Sequence, residues 1–268
     1  MMIKAKLRPK IFVNSCDYIV RSFGFLLCGH LSFLAFGAER LITMERTFYE
    51  QSHEPHLDLQ SIEASLREVQ REFSLINQES NCTREWMDDE VVENLISGYA
   101  LINHLLEAKI DLFALGSSSY LFELNTRVLC GTSEKNRREY HKHIAANNRY
   151  FYDRTDAGIH DLYEWYTLQR HESVWHRAAG IYIRILSDPQ VFIEGNDRTG
   201  ALVMSYILAK EGQPPFVLTA SNAKAYFESS ALIKKLPRNG LANLFRLPRL
   251  KSRIAGFLKD QAHSGCLS

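Results

Sequence analysis

The stretch QVFIEGNDRTGAL, Gln190 to Leu202, brings a carboxylate, a Gly-Asn turn and an arginine together within five residues. The turn at Gly195–Asn196 leads straight into a segment of helical character. The first amides of a helix have no internal partners and carry the positive end of its dipole, so such a junction attracts anions. Arg198 adds a fork of donors suited to phosphate oxygens. Glu194, just before the turn, is placed where a carboxylate could hold a divalent cation bridging those phosphates. Glu194, Gly195, Asn196, Asp197, Arg198 and Thr199 thus form a compact candidate polyphosphate–Mg2+ site. The chain has no Walker-type glycine-rich lysine motif. Asp197 counts against a phosphate: near a helix N-terminus it can bond orphan amides for about 1 kcal/mol, occupying the donors a ligand needs. Arg198 has ordinary partners to hand in Asp197 and Glu194.

The elements around this loop read as helices. Leu57 to Phe73 is charged and amphipathic. Asp88–Asp89 open a segment with Val92, Leu95, Ile96, Tyr99, Ile102 and Leu106 on one helical face. A helix over Tyr120–Leu129 ends at Gly131, and SEKNRREYHKH reads as a polar, solvated helix. In AANNRYFYDRTDAGI, Ala145 to Ile159, turn formers flank the β-favouring Tyr150, Phe151 and Tyr152, which predicts a short hairpin. Helix resumes at Ile159–Leu168. Trp175, Ala178, Ala179, Tyr182, Ile185 and Leu186 mark an apolar stripe whose alanines allow close packing, and Pro189 stops it. Leu202, Val203, Tyr206 and Ile207 form one face of a further helix, ended by Gly212 and Pro214–Pro215. There is no internal repeat, and the expected fold is mainly α with one hairpin.

Composition fits an ordinary globular chain of 268 residues, 46% hydrophobic and 24% charged, with a net charge of +1. No overall field points to nucleic acid or a membrane. The segment from Lys234 to Lys259 is the exception: it holds Lys234, Lys235, Arg238, Arg246, Arg249, Lys251, Arg253 and Lys259 and no acid. It reads as a solvated helical tail, with an acid- or phosphate-facing surface as the sharper alternative. The cysteines, Cys16, Cys28, Cys82, Cys130 and Cys266, are scattered without a CxxC pair, which indicates neither zinc nor a disulfide framework and suits the reducing cytoplasm. Residues 1–43 combine a basic region with the apolar run FGFLLCGHLSFLAFG. Three readings stay open: a spurious or dispensable extension ahead of a start at Met44, a packed helix, and a secretory signal. His30 and the shortness of the run argue against a membrane span.

The loop and its flanks resemble the Fic (Fido) domain family, whose signature has the form H-x-F-x-[D/E]-G-N-[G/K]-R-x-x-R. Phe192, Glu194, Gly195, Asn196 and Arg198 match it in order and spacing. HRAAGIYIRIL looks like the helix before the motif, EGQPPFVLT with AYF looks like the segment after it, and Tyr150–Asp156 falls at the family's β-hairpin flap. The resemblance covers about Asp88 to Lys235. The expected division is then a helical N-terminal segment over 44–87, a Fic-like domain over 88–235 and a basic helical tail over 236–268. The resemblance further implies ATP or another nucleotide as ligand, Mg2+ on Glu194, phosphate contacts from Gly195, Asn196, Asp197, Arg198 and Thr199, and a protein target docking at the flap residues Tyr150, Phe151 and Tyr152. A homodimer stays open.

Three departures bear on activity. The family's base position holds Gln190, and an amide cannot accept a proton near neutral pH; losing a positioned base costs about 10²–10⁴ in rate. Asp197 replaces a glycine or lysine, and Ala201 replaces the final arginine. His171 and His176 are the alternative bases considered. The nearest match to the family's inhibitory helix, Ser119 to Leu124, contains Glu123 but ends in leucine. The expectation is a Fic-like protein that binds a nucleotide or phosphorylated ligand, with AMP transfer weak, altered or lost. Two alternatives remain: a working transferase using another base, and a non-catalytic protein- or nucleic-acid-binding module.

Overall fold

The computed structural model describes residues 55–80, 84–238, 243–262 and 266–267, all within the unit His53–Ser268. The extension 1–43 and the first part of the 44–87 segment lie outside the described residues.

Helix α8 (Asn196–Lys210) forms the axis of the fold. From Thr199 to Ala209 every residue is buried, so it is apolar all round, as a helix enclosed by others must be. Its main partner is α7 (Val174–Leu186), which Ser173 caps by accepting from the His176 amide. The two helices approach closely because Gly200 has no side chain: a Cβ there would lie 2.7 Å from Tyr182 Cδ2. The expected stripe Ala178, Ala179, Tyr182, Ile185 and Leu186 is buried in this contact, with Trp175 half-buried.

Against this pair pack α2 (Asp89–Glu107), α3 (Ser118–Cys130) and α9 (Ala220–Lys234), and α1 (Leu59–Glu79) packs on α2 and α9. Asp88 caps α2 by accepting from the Val91 amide, and Val92, Leu95, Tyr99, Ile102 and Leu106 are buried as their spacing predicts. Helix α3 ends at Gly131, where φ is +64°. The polar segment splits into α4 (Glu134–Glu139) and α5 (His141–Asp153), and α6 (Ile159–Leu168) matches its expected bounds. Helix α10 (Asn243–Asp260) packs along α7 and buries Ile254, Ala255 and Leu258. The basic tail is therefore partly core. Arg238 is buried and bonds Asp161 at 2.9 Å, and Lys251 pairs with Glu172 at 2.7 Å.

The architecture is mainly α, and no strand occurs among the described residues, only two isolated bridges. The hairpin expectation is corrected: Tyr150, Phe151 and Tyr152 lie in α5. Tertiary contacts override their β preference. Asn147 and Phe151, four apart on one helical face, are buried, and Phe151 stacks on Phe192 with centroids 4.9 Å apart. Only the downstream turn survives, as the bend before α6 at Gly158.

Among the described residues no helix is long and apolar enough to cross a membrane.

Candidate functional site

The loop between α7 and α8 is held by three asparagines from three helices. Asn196, buried at the start of α8, accepts from the Phe192 amide and donates to the Phe192 carbonyl at 2.8 Å and to Gln190 Oε1 at 3.0 Å. Asn125 of α3 donates to the Glu194 carbonyl and to Thr199 Oγ1. Asn147 of α5 donates to Asn125 Oδ1, and its own Oδ1 accepts from the Ile193 amide at 2.9 Å. Asn147, which reads as a turn former in sequence, is thus a buried hydrogen-bonding strut. Gly195 makes the turn in left-handed conformation, φ +75°.

Gln190 is engaged at both ends of its amide: Oε1 accepts from Asn196, and Nε2 donates to the Leu186 carbonyl at 3.2 Å. Thr199 is fully buried, with its hydroxyl accepting from Asn125. Neither His171 nor His176 approaches the loop. His171 is exposed, and His176 bonds Ser173 Oγ at the opposite end of α7, about 15 Å along the helix.

The capping role expected of Asp197 is also corrected. No side chain caps α8. The Asp197 carboxylate instead meets Arg84 Nη1 at 2.8 Å and the Lys234 ammonium, while Tyr182 OH lies 3.4 Å away. Tyr226 OH donates to the Asp197 carbonyl. Burial by itself would push the Asp197 carboxyl up; the charges of Arg84 and Lys234 outweigh it and hold the group below its ordinary value. Arg84 is itself anchored by donating to the Phe227 carbonyl at 2.8 Å, with its guanidinium 5.2 Å over the Phe227 ring.

Gly195, Asp197 and Arg198 open onto a cavity of about 420 Å³ between α1, α2, α8 and α9. Its charged lining is Arg84, Glu85, Asp197, Arg198 and Lys234; Phe73, Trp86, Leu95, Phe216 and Phe227 are among its apolar walls. Arg198 is half-buried and makes no hydrogen bond or ion pair with the described residues, so neither Asp197 nor Glu194 takes it up. Burial lowers its affinity for the proton despite the upward pull of Glu85, Asp197, Asp88 and Glu194. A guanidinium so placed has its donors open to an anion.

Glu194 is not part of that lining. Its side chain is 62% exposed and points to His143 of α5, with Nε2 to Oε2 at 3.5 Å. No group of three potential metal ligands forms among the described residues. A Mg2+ ion held mainly by substrate phosphates needs a protein carboxylate beside those phosphates. Glu194 is turned away from the cavity where Arg198 would hold them, so it does not supply that carboxylate.

The structure thus brings Asp197 and Arg198 to one cavity, uses Gln190, Asn196 and Thr199 inside the loop, and leaves Glu194 outside. Arg84, Lys234, Asn125, Asn147 and His143 were missed as site residues. Lys234 was visible only as one member of a basic run, and nothing local to Arg84 links it to a loop more than a hundred residues away.

Comparison with protein-family models, with curated proteins and with solved structures finds no match for this chain.

Proposed function

We propose that this chain is a Fic-like protein that binds a nucleotide or another phosphorylated ligand in the cavity at the start of α8, with AMP transfer weak or lost. The observation that carries this reading is Arg198: a half-buried guanidinium without a protein partner among the described residues, lining a cavity that also has aromatic walls. The phosphate would meet Arg198, and the aromatic walls would take the rest of the ligand. Gln190 supports the loss of transfer chemistry. Both ends of its amide serve the loop, so it is neither basic nor free to receive a proton.

Calorimetric titration of the full chain with AMP and ATP tests the reading. Binding is expected in the wild type, and Arg198→Ala is expected to weaken it about 10- to 100-fold, the scale of hydrogen bonds to a charged group. Wild-type protein that binds neither nucleotide, or a folded Arg198→Ala protein that binds equally well, defeats it.

A working transferase with a base from elsewhere is the second reading, and His143 favours it. This half-buried imidazole faces Glu194 and has no well-formed hydrogen bond at Nε2. Label transferred from ATP to protein by the wild type, and abolished in His143→Gln, would establish it. A nucleic-acid surface on the basic segment has less support, because Lys234, Arg238 and Lys251 are engaged in internal ion pairs.

A further inference from the structure

We infer that the cavity selects a nucleotide with a single phosphate, and that Asp197 is the residue that rejects longer phosphate chains; the inference rests on the nucleotide-binding reading and narrows it.

The cavity is lined by three cations, Arg84, Arg198 and Lys234, against two carboxylates, Glu85 and Asp197. Asp197 already engages Arg84 and Lys234. Of these three cations, Arg198 alone makes no ion pair with the described residues, and one guanidinium matches one phosphate bidentately. A second or third phosphate finds Arg84 and Lys234 already taken by the Asp197 carboxylate and must compete with it for them.

A triphosphate site ordinarily offsets such charge with a divalent cation. Here Glu194 faces His143 rather than the cavity, and Asp197 is committed to Arg84 and Lys234. The apolar part of the lining suits a base: Phe73, Trp86, Phe216 and Phe227 offer rings on which a heterocycle can pack. The volume of about 420 Å³ falls at the lower end of ligand pockets, roughly 300–1,000 Å³.

The test is isothermal titration of the full chain with AMP, ADP and ATP, each with Mg2+ and again with EDTA. AMP is expected to bind at least about tenfold more tightly than ATP, with ADP between them, and AMP binding should be indifferent to EDTA. Asp197→Asn, which keeps the shape and removes the charge, is expected to shrink the AMP–ATP difference. ATP binding as tightly as AMP in the wild type, or a difference left unchanged in folded Asp197→Asn, overturns the inference while the nucleotide reading stands. Failure of all three nucleotides to bind overturns both. Should circular dichroism show Asp197→Asn to be unfolded, Lys234→Gln decides. Leaving Asp197 less neutralised, it is expected to widen the AMP–ATP difference, and an unchanged difference overturns the inference.

Discussion

Arg84 Nη1 lies 2.8 Å from the Asp197 carboxylate, joining the segment before α2 to the first turn of α8 across 113 positions of sequence. The pair positions one wall of the cavity and occupies a charge that would otherwise face a ligand. Removing the carboxylate leaves Arg84 and Lys234 without their shared partner. Asp197→Ala is therefore expected to cost roughly 1–3 kcal/mol, below the figure for a fully buried pair because both partners keep some exposure. Urea unfolding of the two proteins measures it.

The same pair sets an acid response. Burial raises the Asp197 carboxyl, but Arg84 and then Lys234 hold it lower than in an unfolded chain. The unfolded chain therefore takes up this proton first as pH falls. The stabilisation is complete above the unfolded value, near 4, and is lost as pH drops through the folded one. Melting temperature followed from pH 7 downward is expected to fall more steeply below about pH 4 in wild type than in Asp197→Asn.

Gly195 takes φ +75°, and an added Cβ would lie 3.0 Å from Asn125 Nδ2 and 3.2 Å from Val128 and Leu129. Both the backbone conformation and the space oppose a side chain. Gly195→Ala is expected to destabilise by about 1–3 kcal/mol and to weaken ligand binding at the adjoining cavity. Thermal unfolding and the nucleotide titration check the two effects.

Asn147 is 1% exposed and links Asn125 to the Ile193 amide. Asn147→Leu leaves that amide and the Asn125 carbonyl oxygen without their partner. The expected loss is about 1–3 kcal/mol for each unsatisfied group. A double change with Asn125 should cost less than the sum, since the two act in one network. Denaturant curves for the two single variants and the double variant give the coupling.

Asn148 separates the two accounts of the Tyr150 region by sign. In the middle of α5 an alanine is a better helix former than asparagine, so Asn148→Ala is expected to raise stability by up to about 0.7 kcal/mol. At the turn of a hairpin the same change would lower it. A loss of stability would return Tyr150, Phe151 and Tyr152 to a flap.

Much of the helical framework was legible in the sequence because helix signals are local. The stripe from Trp175 to Leu186, the cap at Asp88 and the stop at Gly131 depend on residues a few positions apart, where periodicity and backbone preference speak directly. The hairpin reading failed at Phe151 for the converse reason. Its aromatic neighbours favour strand locally, but stacking on Phe192 and the Asn147 bonds reward a helix, and those partners lie some forty positions away.

By itself the sequence determined that Gly195 and Asn196 turn the chain into a helix carrying Asp197 and Arg198 on its first turn. It also determined that no base stands at position 190. Only the tertiary structure decided where those charges go. It sends Asp197 to Arg84 and Lys234, turns Glu194 toward His143, and leaves Arg198 facing a cavity. The physical reason is that a turn is made by the torsions of adjacent residues, whereas an ion pair is made by whichever charges the packing brings within a few ångströms.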